Sequence, residues 1–529
     1  MRNKFIAILA FYLPSLLAVS QVDSVFVKNF GGPGDEPIGF GAGISGAPSV
    51  KATQDLEGNI YVASFTNSTS GDIESNAGSE DIFVVKTDAN GELIWSKTYG
   101  GSSFDRCFSI ILLSDGNLLL AGRSASNDGT FTGFLGGEDA FLIKISPAGD
   151  VIWSRLYGGS LPDTFFDVVE LDGGDLIACG ISGSIDGDIN DDTFAGSNKA
   201  WLMRMNSSGQ PVWSRITDGL INNSDWEESF WFARLNNTRD AVYLLGATYN
   251  FNDINSDDLF ISKYNLDGTQ SLKSSFGGQA GDTPSGLVVG ANDNLFVFGS
   301  ARGGNGDITN YLGGSADAWL LKLNSSAEII WDKTFGGSDL DYGYGLSSYG
   351  NSLFLCLSTR STNNSASAAG YGLLDGLIIE VDSAAGDTIS TLRWGSSSSD
   401  YCHDLVHNSE GNFYAVGRSA GNDAWISQAR GGSDLVLIQY RDETISVNEI
   451  SSSGLLIYPN PSKGLLKIRI PENYAHLSIY NSTGLLVFDK SCSDALNTIT
   501  LENFPKGIYT AVVTEKGGSN AISSRFILD

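Results

Sequence analysis

The chain has 529 residues, with 61 Asp or Glu against 32 Lys or Arg, giving a net charge of −29. That length exceeds an ordinary single domain and predicts a repeat architecture or several domains, while the charge repels phosphate backbones and excludes nucleic acid as a partner. Only 18% of residues are charged, 41% are hydrophobic and 64 are glycine, a balance that suits turn-rich folded β-structure and not a disordered acidic tail.

Residues 1–20 read as an export signal. Arg2 and Lys4 are followed by a mainly apolar stretch from Phe5 to Leu17, and Ala18-Val19-Ser20 supplies a small-residue cleavage site before Gln21. The apolar stretch is too short to span a bilayer comfortably, and no later segment approaches about eighteen uninterrupted apolar residues, so the mature chain is expected to be exported without a transmembrane anchor. Cys107, Cys179, Cys356, Cys402 and Cys492 are an odd number scattered along a long chain, which predicts buried free thiols. Three histidines and no CxxC pair leave little from which to build a zinc site.

From residue 81 the sequence repeats. Asp81-Ile-Phe-Val-Val-Lys86, Gly91 and Leu93-Ile-Trp95-Ser-Lys-Thr-Tyr99-Gly100-Gly101 recur as Asp139-Ala-Phe-Leu-Ile-Lys144, Gly149 and Val151-Ile-Trp153-Ser-Arg-Leu-Tyr157-Gly158-Gly159. Further copies start at Lys199, Asp258, Asp317, Asp375 and Asp434, at spacings of 58 to 60 residues. Each copy contains four short apolar runs separated by Gly, Asn, Asp and Ser; in one unit these are Cys107 to Leu113, Asn117 to Gly122, Asp139 to Ile145 and Val151 to Tyr157. Four antiparallel strands per unit predict propeller blades. Trp95, Trp153, Trp213 and Trp331 recur at one strand position and read as framework. The last unit lacks its fourth strand, whereas Val25 to Gly32 carries that strand's pattern, so the N-terminal segment is expected to pair with Asp434 to Tyr440 and remove an open edge. The fold expected for residues 21–440 is therefore an all-β, seven-bladed propeller closed by an N-terminal strand. The repeat resembles the bacterial seven-bladed β-propeller repeat family, through its D-A-F-x-x-K strand, its Y-G-G run followed by an Asp (Tyr99, Gly100, Gly101, Asp105) and its G-N-x-Y-V strand (Gly58 to Val62).

Within this frame three groups of residues invite a chemical role. Asp186, Asp188, Asn190 and Asp192 form the densest acidic loop, and their oxygens suit a calcium ion, although the same residue types also cap turns. Calcium is thus an optional ligand and no cofactor is required. Cys402-His403-Asp404 offers triad residue types, but neighbours on a strand point to opposite faces and cannot converge. The unit beginning at Thr217 abandons Y-G-G for a run holding Asp225, Trp226, Glu227, Glu228 and Trp231. Two indoles and three carboxylates suit stacking on a sugar and binding its hydroxyls, and paired acids can cut a glycosidic bond.

Past Tyr440 the period stops. Residues 441–454 form a linker and residues 455–529 a small β-sandwich of alternating strands between glycine turns. Tyr458-Pro459-Asn460-Pro461, Gly464, the Ile479-Tyr480 run ending at Gly484, and Gly507-Ile508-Tyr509 resemble the type A C-terminal sorting domain of the type IX secretion system. That resemblance implies the type IX machinery as a partner, passage through the periplasm, and secretion or display at the outer-membrane surface. The sequence therefore reads as a non-enzymatic exported binding protein, with a glycan or protein as ligand. A glycan-active enzyme using the irregular fourth blade and a purely structural surface component are the alternatives.

Overall fold

The computed structural model describes residues 20–21, 23–36, 49–189, 198–217, 226–250, 258–278, 280–408, 411–427, 429–441, 456–458, 465–469, 474–481, 485–492, 496–501, 504–515 and 521–528. The chain divides into two compact units at Tyr440/Arg441.

The first unit is a propeller-like set of seven sheets with four antiparallel strands each, one of which carries a short parallel fifth strand. Sheet two is representative: Asp105–Leu112, Leu118–Ser124, Asp139–Ile145 and Val151–Tyr157 lie side by side in chain order. Its two middle strands are buried along almost their whole length, because neighbouring sheets cover both faces, and this explains their continuous apolar runs. The outer strand exposes Val151 and Ile152. Sheet one starts at Lys51–Gln54, sheet three at Asp163–Glu170, sheet four at Trp226–Leu235, sheet five at Thr283–Val289, sheet six at Asp341–Tyr349 and sheet seven at Asp400–His407. Sheet seven draws its fourth strand, Asp23–Phe30, from the chain start, hydrogen-bonded beside Asp434–Arg441. Ser20 and Gln21 pair in parallel with Ser390 and Thr391 on the outer strand of sheet six.

Each sheet's first strand packs against the first strand of the next, and that of sheet seven packs against that of sheet one. All seven first strands line a cavity of about 700 Å³. In sheets two to seven the first strand carries a β-bulge at one shared place, and the extra residues are Phe108, Phe166, Trp231, Ser285, Tyr344 and His403. A bulge re-aims its side chain, and here successive bulge residues meet across sheets. Ring centroids lie 5.3 Å apart for Phe108 and Phe166, 5.7 Å for Phe166 and Trp231, and 4.8 Å for Tyr344 and His403.

Toward the rim, the fourth strands of sheets one, two, three and five grip the next sheet's last hairpin. Tyr99 and Tyr157 donate their hydroxyls to the carbonyls of Gly149 and Gly209, both at 2.7 Å. Trp95, Trp213 and Trp331 donate Nε1–H to the carbonyls of Pro147, Leu266 and Ala384 at 3.2, 3.2 and 2.9 Å. Gly209 has φ +76°, and a Cβ there would sit 2.9 Å from the Tyr157 hydroxyl, so both backbone and grip require glycine. The N-terminal strand repeats the contact on sheet one: Lys28 bonds Glu92 at 2.8 Å, and the Phe26 ring lies against Gly91.

In the second unit Leu456–Tyr458, Leu465–Arg469 and Leu496–Thr500 form one sheet, and Leu486–Ser491, Tyr474–Asn481, Gly507–Glu515 and Ala521–Leu528 form another. Leu466, Ile468 and Ile499 from the first join Leu477, Ile479, Tyr509, Ala511 and Val513 from the second in one buried core. Alternate residues on each strand supply it, as a half-buried sheet requires.

A chain beginning at Gly31 loses the fourth strand of sheet seven and leaves Asp434–Arg441 as an open edge. Its melting temperature is expected to fall and light scattering to rise with concentration. A permutant carrying Asp23–Phe30 after Arg441 is expected to restore both.

Candidate functional site: the loop end of the sheets

The loop end is organised by buried carboxylates at fixed places in the repeat. Four residues after its glycine pair, Asp105 accepts the Gly101 N–H at 2.8 Å and the hydroxyls of Ser124 and Ser126. Asp163 does the same with Gly159, Ser182 and Ser184, and Asp341 with Gly337, Thr359 and Ser361. In sheet seven Asp400 accepts from the Ser396 N–H and from the hydroxyls of Ser396 and Ser419. In sheet one Glu36 takes the role, accepting from Gly32, Thr66 and Ser68. Each carboxylate pins a fourth-strand exit to the end of a second strand.

A second acid opens the third strand. Asp81, Asp139, Asp317 and Asp434 accept the main-chain N–H of Ala77, Leu135, Leu312 and Arg430 at 2.5–2.8 Å, all while buried. Acids of neighbouring sheets converge over a glycine: a Cβ on Gly100 would lie 2.4 Å from Asp81 Oδ1 and 2.7 Å from Asp105 Oδ2. Burial, with a smaller push from the neighbouring acid, lifts Asp81 and Asp139 to about 6 and Asp282 and Asp317 to about 7. Asp105, Asp163, Asp341 and Asp400 are also raised, chiefly by burial. In sheet six Arg393 is the partner instead, 2.6 Å from Asp375.

The residues singled out in the sequence fall differently. Of the acidic loop, Asp186 accepts the Ser160 N–H at 2.7 Å and Asp188 the Gly158 N–H at 3.2 Å, while Asn190 and Asp192 lie outside the described residues. Among the described residues no three His, Cys, Asp or Glu side chains gather to hold a metal ion. In the irregular unit the expected sugar platform is corrected at two positions. Trp231 is the bulge residue of sheet four; its ring is buried against Phe166 and its Nε1–H is donated to Ser229 Oγ. Glu228 is buried as well, paired with Lys273 at 3.3 Å and accepting from Thr217 Oγ1 at 3.0 Å. Neither presents a face or an oxygen to solvent. Asp225 and the side chains of Trp226 and Glu227 lie outside the described residues.

Cys402, His403 and Asp404 diverge as strand geometry requires. Cys402 is buried beside Cys356, His403 packs between Tyr344 and Tyr401, and Asp404 faces the cavity, 3.5 Å from Lys51. All five cysteines are buried free thiols. In the C-terminal unit Tyr509 is buried and donates its hydroxyl to the Pro505 carbonyl at 2.6 Å. Tyr458 and Gly507 lie on strands, while Pro459, Asn460, Pro461, Gly464 and Gly484 lie outside the described residues.

Residues 456–529 match the family model of the secretion system C-terminal sorting domain. The C-terminal unit is thus a type IX sorting domain, and the protein is exported to the cell surface or secreted by that machinery. Among the described residues no helix is long and apolar enough to cross a membrane. A curated relative, the funoran endo-beta-hydrolase of Wenyingzhuangia aestuarii, is 35% identical over 91 residues, or 16% of this chain and 12% of the enzyme. The chain therefore spans about an eighth of that relative's length. Among solved structures, PorZ, a surface component of the type IX system of Porphyromonas gingivalis, is 12% identical with a TM-score of 0.33, over 91% of this chain and 74% of that one. A puromycin hydrolase is 10% identical at 0.43, over 90% and 59%. The α-L-arabinofuranosidase Arb93A of Fusarium graminearum is 13% identical at 0.36, over 64% and 92%. Scores this low carry no inference about activity.

Two outcomes follow. An acid raised from 3.8 to about 6 or 7 holds its proton in the folded chain at pH values where the unfolded chain has lost it. Its contribution to stability is therefore complete below 3.8 and disappears as pH rises through the folded value. Melting temperature is expected to drop between about pH 4 and pH 7, and Asp317→Asn, which keeps the acceptor for Leu312 and removes the titration, is expected to flatten that slope. Trp231→Ala, measured by denaturant unfolding, is expected to cost about 3–5 kcal/mol as a large core truncation.

Proposed function

We propose that the seven sheets close into a seven-bladed β-propeller and that the protein is a non-enzymatic binding module delivered outside the cell, with a glycan as its ligand class. Closure is supported by the first-strand packing of sheet seven on sheet one and by the splice of Asp23–Phe30 into sheet seven. The observation that carries the function is the joining of a sorting domain to a propeller-like body whose buried acids serve main-chain N–H groups and hydroxyls. A hydrolase needs an acid and a base open to substrate. Glu228 and Trp231, on which the enzyme alternative drew, are enclosed. A polysaccharide setting also agrees with the name of the curated relative, a funoran hydrolase.

The test of delivery is deletion of residues 441–529. The full chain is expected at the cell surface or in the medium, and the truncated chain in the periplasm, by fractionation. Equal surface delivery of both would refute the assigned role of the C-terminal unit. Binding is tested on the full exported chain with an array of neutral, sulfated and uronate oligosaccharides, on which the reading requires retention of at least one class.

A further inference from the structure

The repeat sets a rule for the loop after each second strand, and sheet seven breaks it. In five sheets the loop residue just before the buried apolar anchor turns a polar side chain back onto the preceding sheet's glycine. Asp72, Thr130, Asp188, Asp307 and Ser365 accept the N–H of Gly31, Gly100, Gly158, Gly277 and Gly336 at 2.8–3.2 Å. In sheet seven that position is Trp425. Its main chain is placed as in the others, with the Trp425 N–H donating to the Gly395 carbonyl at 3.2 Å. An indole is a donor only and cannot accept the glycine N–H. The preceding residue is also altered: Ala424 has φ +52°, where sheets two, three and five carry Gly129, Gly187 and Gly306 at +64° to +67°. A non-glycine residue there is strained, and such strain collects at functional positions.

The facing loop departs from the repeat as well. Ahead of the third-strand acid, Tyr371 stands where sheet one has Ala77, and Leu373 where sheets one and seven have Ser79 and Gly432. Tyr371 is 42% exposed and Leu373 65% exposed. Tyr371 and Trp425 meet edge to face, with centroids 6.4 Å apart and planes at 70°. Both loops are fixed by main-chain bonds. Tyr371 N–H donates to Asp375 at 3.0 Å and Leu373 N–H to the Ser398 carbonyl at 3.0 Å. Gly372 lies so close that a Cβ would sit 2.2 Å from the Ser396 carbonyl. The rings are therefore pre-organised, which cuts the entropy lost on binding. Two residues before Trp425 on the same loop, Asp423 accepts the Ser397 N–H at 2.7 Å, and the hydrogen bonds from Ser397 hold its carboxyl below the usual range, so it is anionic and a ready acceptor.

We propose that Tyr371, Leu373 and Trp425, with Asp423 alongside, form the sugar-binding platform of this protein, and that the ligand is a neutral saccharide. An aromatic face takes the C–H face of a pyranose, and the carboxylate accepts its hydroxyls. Charge decides the class: Asp423 on a chain of net charge −29 disfavours sulfated and uronate chains. This inference rests on the glycan-binding reading above.

The full chain is titrated with a neutral oligosaccharide retained on the array, following tryptophan fluorescence, alongside Tyr371→Ala, Trp425→Thr and, as a control, Leu56→Ser on a remote, 98% exposed position. Trp425→Thr restores the residue that sheet two carries, so its melting temperature is expected to hold or rise. Each platform variant is expected to weaken binding about tenfold, the scale of one aromatic contact, and the control not at all. Unchanged neutral-sugar binding in both platform variants would overturn the site and leave the glycan reading standing. Retention of only sulfated or uronate sugars would overturn the neutral class. An array on which the wild-type chain retains nothing would overturn the site and the reading together.

Discussion

The structure depends on one recurring interaction: a carboxylate buried where a fourth strand exits and bonded to a glycine N–H and to hydroxyls at the end of the next sheet's second strand. Asp105, Asp163 and Asp341 each receive one N–H and two hydroxyls. A buried acid is tolerable only when its oxygens are satisfied or its proton retained. The repeat uses both solutions, often on one group: Asp105, Asp163 and Asp341 collect three hydrogen bonds and are raised by burial as well, while Asp282, with two main-chain N–H donors, and Asp317 are lifted to about 7. The glycine between facing acids of neighbouring sheets is obligatory because a side chain would enter the space the two acids share. Spacing inside each unit is therefore tied to backbone geometry, and this keeps the period within 58 to 60 residues while other positions drift.

Such a constraint makes departures readable, and they are of two kinds. Some conserve the physics with other residues. Glu36 replaces the anchor in sheet one by reaching the same hydroxyl and N–H donors, and Arg393 neutralises Asp375 where other sheets leave two acids facing. Sheet four, irregular in sequence, also belongs here, because Glu228 finds Thr217 and Lys273 inside the fold. The others discard a hydrogen bond or accept strain, as Trp425 and Ala424 do. A half-buried ring that gives up a framework hydrogen bond beside exposed Tyr371 and Leu373 calls for an explanation outside folding.

Strand periodicity was legible because it depends on local alternation. The runs read at Asp139 to Ile145 and Val151 to Tyr157 are the observed strands, and the spare N-terminal run lies beside Asp434–Arg441. The framework reading of Trp95, Trp213 and Trp331 holds because their position on the outer strand brings each indole to the next sheet's hairpin. The orientation of Trp231 was not legible, because one bulge in the first strand reverses the two-residue alternation on which an inside/outside assignment rests. A signal was nonetheless present: Phe108, Phe166, Tyr344 and His403 occupy the same repeat position, and an aromatic that recurs there is framework. Trp425 was missed for the opposite reason, since it is a single replacement in a polar column, and Tyr371 because its column, with Ala77, Leu135, Gly313 and Arg430, has no recurring residue against which to read it.

The formal charge of −29 also overstates the field a ligand meets. Asp282 and Asp317, at about 7, are near half protonated at neutral pH, and Asp81 and Asp139 retain part of a proton. These groups lie inside, bonded to main-chain donors. What remains toward solvent at the loop end includes carboxylates such as Asp186 and Asp423, both held below the ordinary value by serine donors and therefore fully ionised. The repeat thus sorts its acids by depth, with proton-holding acids that close the sheets and ionised ones that accept hydrogen bonds at the rim. In the platform proposed above, fixed acceptors would meet a ligand together with the aromatic side chains of sheets six and seven, a combination suited to hydroxyl-rich, uncharged molecules and not to polyanions.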